Sequence, residues 1–189
     1  MEQTEKIKFI VYTTIFGCVW GLSEMLIGSW LHMVQFPLRG AVMASLGAVI
    51  LCAGRKYSDR PGSAIASGFV AVIIKLMSAG AFKLGPVAGI LIESVMIELI
   101  LVFFGCGRMQ FFLACVAASL EAIPHFFVTN WIFYGRGIFE TYLAIVRQVQ
   151  GIFGISGDFW LWILALWAGA HVMTGIAAGI IAARFAEKK

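Results

Sequence analysis

Acidic and basic side chains interrupt the apolar stretches of this sequence, and they are the residues that could do chemistry. The run from Val87 to Phe104 is long enough to cross a bilayer and carries Glu93 and Glu98 well inside it. A charged side chain near the bilayer centre costs roughly 3 kcal/mol on insertion scales, so such groups face protein, water or a ligand. The two carboxylates lie about 140° apart around a helix. We therefore expect one to line a cavity and the other to meet a neighbouring helix.

Eight ionisable side chains lie inside or at the edge of the apolar stretches, a large number for 189 residues. Such groups form ligand or ion pathways, proton relays or internal ion pairs. All three interpretations stay open, and the predicted internal pairs are Lys75 with either Glu24 or Glu93, and Glu98 with His171. The eight residues are Glu24, Arg39, Lys75, Glu93, Glu98, Glu121, His125 and His171.

The composition is that of an integral membrane protein. Hydrophobic residues make up 61% of the chain and charged residues 13%, and the mean hydropathy is +0.93, whereas a soluble domain carries about 25% charged residues. The net charge of +4 comes from short basic clusters between the apolar stretches, which favours membrane topology over nucleic-acid binding. The four cysteines show no CxxC spacing, so we interpret them as packing residues.

Six apolar stretches are separated by breakers and charges, and each is predicted to be a membrane-spanning helix. If the N-terminus is cytoplasmic, nine Lys and Arg residues lie in the inner segments and four in the outer ones, so both termini are predicted to be cytoplasmic. The predicted fold class is an all-α integral membrane protein, a single-domain bundle of six transmembrane helices. The spans are 8–31, 38–53, 62–81, 87–104, 109–133 and 159–183.

The segment from Tyr134 to Asp158 is predicted to form an amphipathic outer helix between spans five and six. Its apolar residues recur at helical spacing, with charged and amide side chains largely opposite, so it is expected to rest on the membrane surface. A lid over an outward-facing pocket, hinged at glycines, is the functional alternative. The apolar positions are Ile138, Tyr142, Ile145, Val149 and Ile152.

In this topology the polar groups converge on the outer half of the bilayer. Glu24, Lys75 and Glu93 all fall there, and His125 lies above Glu121. Aromatic, histidine and asparagine side chains at the same level favour either an outer aromatic belt or a stacking wall for a ligand. They include Trp30, His32, Asn130, Trp131, Trp160 and Trp162.

A stripe of small residues, Thr13, Gly17 and Gly21, recurs every fourth position in the first span. Such stripes let helix backbones approach closely in lipid. The stripe either packs within the bundle or docks another membrane subunit, and docking requires it to face outwards.

With its six predicted spans, cytoplasmic termini and Thr13-x-x-x-Gly17-x-x-x-Gly21 stripe, the chain resembles a substrate-binding S component of an energy-coupling factor (ECF) transporter, a vitamin-uptake class of ABC importer. The stripe departs from the Ala-x-x-x-Ala docking motif of that family. The resemblance implies a high-affinity micronutrient pocket open to the outside of a prokaryotic plasma membrane. It also implies docking through the stripe onto a transmembrane coupling subunit with two cytoplasmic ATPases. The implied pocket draws on Glu24, His32, Arg39, Lys75, Lys83, Glu93, His125, Asn130 and Trp131.

Two other classes of function stay open. A stand-alone proton-coupled transporter or channel subunit would use the same intramembrane carboxylates and histidines. A membrane enzyme is the third class, but the sequence has no Walker loop, HExxH, GxSxG or Asp-rich metal motif. We therefore predict no enzymatic activity, no cofactor and no metal site.

Overall fold

The computed structural model describes residues 3–34, 36, 38–78, 84–154 and 159–187. These residues form eight α-helices and one π-helical turn, and they contain no β-strand. The elements are α1 Gln3–Ser23, the π-helical turn Glu24–Gly28, α2 Ser29–Met33, α3 Arg39–Ser58, α4 Ser63–Met77, α5 Leu84–Phe104, α6 Arg108–Tyr134, α7 Gly137–Phe153 and α8 Phe159–Glu187.

Within the described residues, four helical stretches are long and apolar enough to cross a membrane, which agrees with an all-helical membrane protein. They are Gln3–Met33, Leu84–Phe104, Arg108–Phe133 and Trp160–Ala186. Helix α4 is apolar but has only 15 residues, about 22 Å at 1.5 Å per residue, less than a hydrocarbon core of about 30 Å. Helix α3 is also not among the four stretches that are able to cross a membrane. A bundle of six membrane-spanning helices therefore stays a prediction.

Helix α3 occupies the middle of the bundle. It contacts α1, α4, α5, α6 and α8, and its buried residues include the small side chains Ala41, Ala44, Ala48 and Gly47. Small residues let several helices approach one axis closely. A helix that its neighbours shield from lipid does not need the apolar surface of a lipid-facing helix. This explains why α3 is less apolar than the four helical stretches that are able to cross a membrane.

The start of α1 lies at the same end of the bundle as the connections 59–62 and 105–107, and we call this the terminal end. Arg60 donates from Nε to a carboxylate oxygen of Glu5 at 2.9 Å, which ties the start of α1 to the α3–α4 turn. That turn needs two left-handed residues, Asp59 at φ 53° and Gly62 at φ 86°. Glycine adopts this conformation without a Cβ clash. The far end, which we call the opposite end, holds the end of α4 and the start of α5.

The stripe of Thr13, Gly17 and Gly21 is buried against α4. A Cβ atom on Gly17 would lie 2.6 Å from the Cβ of Val70 and 2.7 Å from the carbonyl oxygen of Ser67. A side chain at Gly17 would therefore force the two helices apart. The structure supports packing within the bundle, and the outward-facing stripe that docking requires is not present.

Helix α7 lies within the segment from Tyr134 to Asp158, where the apolar spacing predicted a helix. It ends at Phe153, and the following Gly154, at φ 63°, caps the last turn in the left-handed conformation. Helix α7 contacts α6 and α8. Its placement on the membrane surface and its action as a lid stay predictions.

Candidate functional site

Five ionisable side chains from four elements form a group towards the opposite end of the bundle, and we call it the polar cluster. The π-helical turn, α4 and α5 contribute one residue each, and α6 contributes two. Its members are Glu24, Lys75, Glu93, Glu121 and His125.

Glu24 and Lys75 form a buried ion pair. The Lys75 Nζ lies 3.2 Å from the Glu24 Oε2 and donates to the Glu24 carbonyl oxygen at 2.7 Å. Glu24 begins the π-helical turn, and such turns interrupt the regular helical hydrogen bonds and are frequent at functional sites. Of the two partners predicted for Lys75, the structure therefore selects Glu24.

A glycine makes room for this ion pair. A Cβ atom on Gly28 would lie 3.1 Å from the Glu24 Oε2, 3.5 Å from the Lys75 Nζ and 3.7 Å from the Met43 Cε. The Met43 side chain from α3 is itself buried. The pair thus lies against the bare backbone of Gly28.

Glu93 is the member of the cluster whose charge is unmatched. Its side chain is buried, with 8% exposure, and no hydrogen bond or ion pair joins it to another residue in the described part of the chain. The nearby carboxylates of Glu24 and Glu121 repel it. Taking an ion out of water costs several kcal/mol unless a partner offsets it. Glu93 therefore needs a proton or a positively charged ligand.

Glu121 and His125 lie one turn apart on α6. The His125 Nδ1 is 3.6 Å from the Glu121 Oε1, and the His125 Nε2 is 3.1 Å from the Gly85 carbonyl oxygen. The Thr129 hydroxyl oxygen lies 3.3 Å from the same His125 Nε2. The Glu121 Oε2 is buried without a hydrogen-bond partner. The cluster thus holds a second carboxylate oxygen that can accept a hydrogen bond.

The other predicted pocket residues are placed differently. Arg39 and His32 hydrogen-bond to each other through the guanidinium and Nδ1. Asn130 donates its amide to the Phe126 carbonyl of its own helix at 2.7 Å, and Trp131 is 52% exposed. Lys83 lies outside the described residues.

Of the nine residues predicted to line a pocket, the structure thus brings four together: Glu24, Lys75, Glu93 and His125. Sequence reasoning listed Glu121 as an ionisable group but left it out of the pocket. Its position four residues before His125 was the signal, because residues at that spacing share one helix face. Gly28 carries no comparable signal in the sequence.

Glu98 belongs to a separate site at the terminal end. Its two carboxylate oxygens accept hydrogen bonds from the backbone N–H groups of Gly62 at 2.7 Å and Ala64 at 2.8 Å. The Arg55 Nε lies 3.5 Å from the same carboxylate. Glu98 therefore caps the start of α4, where free N–H groups favour a negative charge.

The predicted pairing of Glu98 with His171 is wrong. The His171 Nδ1 instead bonds the Trp167 carbonyl oxygen at 2.9 Å within α8. The Ser119 hydroxyl donates to the His171 carbonyl oxygen at 2.6 Å and joins α6 to α8. His171 is buried in helix packing, at a different place from Glu98.

Neither a metal site nor a polar pocket is found elsewhere among the described residues. Among the described residues, no three His, Cys, Asp or Glu side chains are grouped closely enough to hold one metal ion. A shallow groove of about 440 Å³ runs along α5 between apolar side chains only. Its lining is typical of a surface that faces lipid, and it includes none of the polar cluster. It is lined by Leu91, Ile92, Val95, Met96, Leu99 and Ile100.

The polar cluster is therefore the part of the described chain best suited to bind a polar or charged group. Comparison of the chain with protein-family models, with curated proteins and with solved structures finds no match.

Proposed function

We propose that this chain is a membrane solute-binding protein whose ligand occupies the polar cluster. The observation that carries the proposal is Glu93, a buried carboxylate with no partner among the described residues and two other carboxylates nearby. Ionisable groups kept inside a membrane protein at such a cost are typical of substrate and ion pathways. Stability alone gives no reason to keep Glu93 there.

Within this function, we propose the role of substrate-binding S component of an ECF importer of a micronutrient. Support comes from the resemblance in chain length and predicted spans, and from the four helices able to cross a membrane. In this arrangement both termini are cytoplasmic in a prokaryotic plasma membrane, the polar cluster opens outwards and α7 covers it. The coupling subunit then docks on a face other than the stripe, because the stripe is covered by α4.

A stand-alone proton-coupled transporter is the second candidate. The observation that favours it is the proximity of Glu93, Glu121 and His125, since carboxylates and histidines near one another can pass a proton. The two candidates differ in what the isolated chain does. An S component binds tightly and accumulates nothing by itself, whereas a stand-alone carrier transports without ATP.

The experiment that separates them uses the small molecule that co-purifies with the chain, identified by mass spectrometry and then isotopically labelled. We expect the purified chain to bind the labelled molecule in detergent, and liposomes that contain only this chain to show no sustained uptake. Sustained uptake driven by a proton gradient, in the absence of ATP and of other subunits, would contradict the S-component role. Chemical conversion of the molecule would instead indicate an enzyme.

A further inference from the structure

We infer that the ligand of the polar cluster is a small organic cation with its positive charge next to Glu93. This inference rests on the proposed solute-binding function and names its substrate class. It follows from the charges of the described residues, from the contacts that already occupy Lys75, and from the lack of a group of metal ligands among the described residues.

The charges in the cluster do not balance. Lys75 offsets Glu24, with which it makes two close contacts. Glu93 and Glu121 then face one histidine, and the 3.6 Å separation of His125 from Glu121 is too long for a strong hydrogen bond. With Glu93 and Glu121 both ionised, one buried negative charge has no match among the described residues even if His125 is protonated. A bound cation supplies the missing charge.

The same contacts argue against an anionic ligand. The Lys75 ammonium is held by the side chain and the backbone carbonyl of Glu24, so binding a ligand carboxylate would mean breaking that pair. A ligand carboxylate would also add a negative charge beside three others. Like charges at short range in a poorly solvated site repel strongly.

The lack of a group of metal ligands among the described residues argues against a metal ion. Metal ions hold oxygen ligands at about 2.0 to 2.6 Å, and no three His, Cys, Asp or Glu side chains among the described residues are grouped closely enough to share one. Glu93 and Glu121 nevertheless interact electrostatically from two different helices. An organic cation needs no close shell of three or more such ligands, so carboxylates from two helices can meet it.

Two glycines let the side chains of the cluster approach the helix backbones closely. Gly89 lies one helical turn before Glu93 on α5, and a Cβ atom there would lie 3.5 Å from the His125 Nε2. Gly28 packs against the Glu24 and Lys75 side chains. The cluster thus offers a ligand its carboxylate oxygens, and nitrogen-bound hydrogens of an organic cation can donate to the Glu121 Oε2, which has no hydrogen-bond partner among the described residues.

The test measures ligand-induced thermal stabilisation of the full chain in detergent at pH 7. The probes are primary amines, quaternary ammonium compounds and pyridinium compounds, each with a neutral alcohol and a carboxylate of matched size. We expect only cations to stabilise the chain. We expect the dissociation constant of the best cation to rise at least about tenfold in both Glu93→Gln and Glu121→Gln. Glu5→Gln, which changes a carboxylate at the terminal end, should leave that constant unchanged.

Each alternative result has a distinct meaning. Stabilisation by carboxylates that is lost in Glu93→Gln would overturn the cationic class but keep solute binding at this site. A cation whose affinity is the same in wild type, Glu93→Gln and Glu121→Gln would overturn the assignment to the cluster. If no probe stabilises the chain, the inference is overturned. A protonated-carboxyl infrared band that disappears in Glu93→Gln would then show that a bound proton already neutralises Glu93, and the proposed solute binding would lose the observation that carries it.

Discussion

Replacing Lys75 by methionine is expected to lower the free energy of unfolding by about 3 to 5 kcal/mol. The Lys75 ammonium lies 3.2 Å from the Glu24 carboxylate, and both side chains are buried. Methionine fills a similar volume without the charge, so Lys75→Met leaves a carboxylate and a backbone carbonyl without their donor. The expected result is a large fall in the thermal unfolding midpoint of the ligand-free chain in detergent.

A double variant provides the matched control. In Glu24→Gln with Lys75→Met the buried charge is removed together with its partner, and replacing both members of a buried pair is often close to neutral. We expect the double variant to recover most of the lost stability. A single variant as stable as the wild type, or a double variant no better than the single, would show that the ion pair does not hold the π-helical turn against α4.

Removing the carboxylate of Glu98 is expected to have an effect of similar size at the other end of the bundle. Glu98→Ala deletes the acceptor for the N–H groups of Gly62 and Ala64 and leaves the buried Arg55 without its counter-charge. Breaking a buried pair by removing one partner costs about 3 to 5 kcal/mol. We expect α4 to lose its cap, with a matching fall in the free energy of unfolding.

Two controls separate the cap from a general effect of removing charge. Glu98→Gln keeps one acceptor oxygen and the shape of the side chain, so its loss of stability should lie between those of the wild type and Glu98→Ala. Glu140 on α7 is exposed, and Glu140→Ala should change the free energy of unfolding by about 0.5 kcal/mol or less. Equal, small effects of Glu98→Ala and Glu140→Ala would contradict the capping role.

The helical class of the fold follows from the sequence, because long apolar runs separated by glycine and charged breakers admit few other structures in a membrane. The position of α3 does not follow. Its small residues are visible in the sequence, but only the packing of α1, α4, α5, α6 and α8 around it shows that it is the central helix. Hydropathy measures the preference of a segment for lipid, and a helix surrounded by protein is not selected for that preference.

The candidate site, like the fold, could be predicted from the sequence only in part. The angular separation of Glu93 and Glu98 predicted that one carboxylate faces a cavity and the other a neighbouring helix. In the structure, the Glu98 carboxylate accepts a hydrogen bond from the backbone of the neighbouring helix α4, whereas the buried Glu93 carboxylate has no partner among the described residues. The sequence could not decide which of the two carboxylates meets the neighbouring helix, because Ala64, the partner of Glu98, is 34 residues away along the chain. The direction of the Gly17 stripe also depends on which helix lies beside it.

The measurement that tests the central claim most directly is native mass spectrometry of the detergent-purified chain, with Glu93→Gln beside Glu98→Gln. We expect one small molecule bound stoichiometrically to the wild type and to the folded fraction of Glu98→Gln, and none bound to Glu93→Gln. Because Glu93 carries an unmatched buried charge, ligand-free Glu93→Gln should unfold at no lower temperature than the ligand-free wild type. Equal ligand occupancy in wild type and Glu93→Gln, or a Glu93→Gln chain less stable than the ligand-free wild type, would contradict the account and make Glu93 a structural residue.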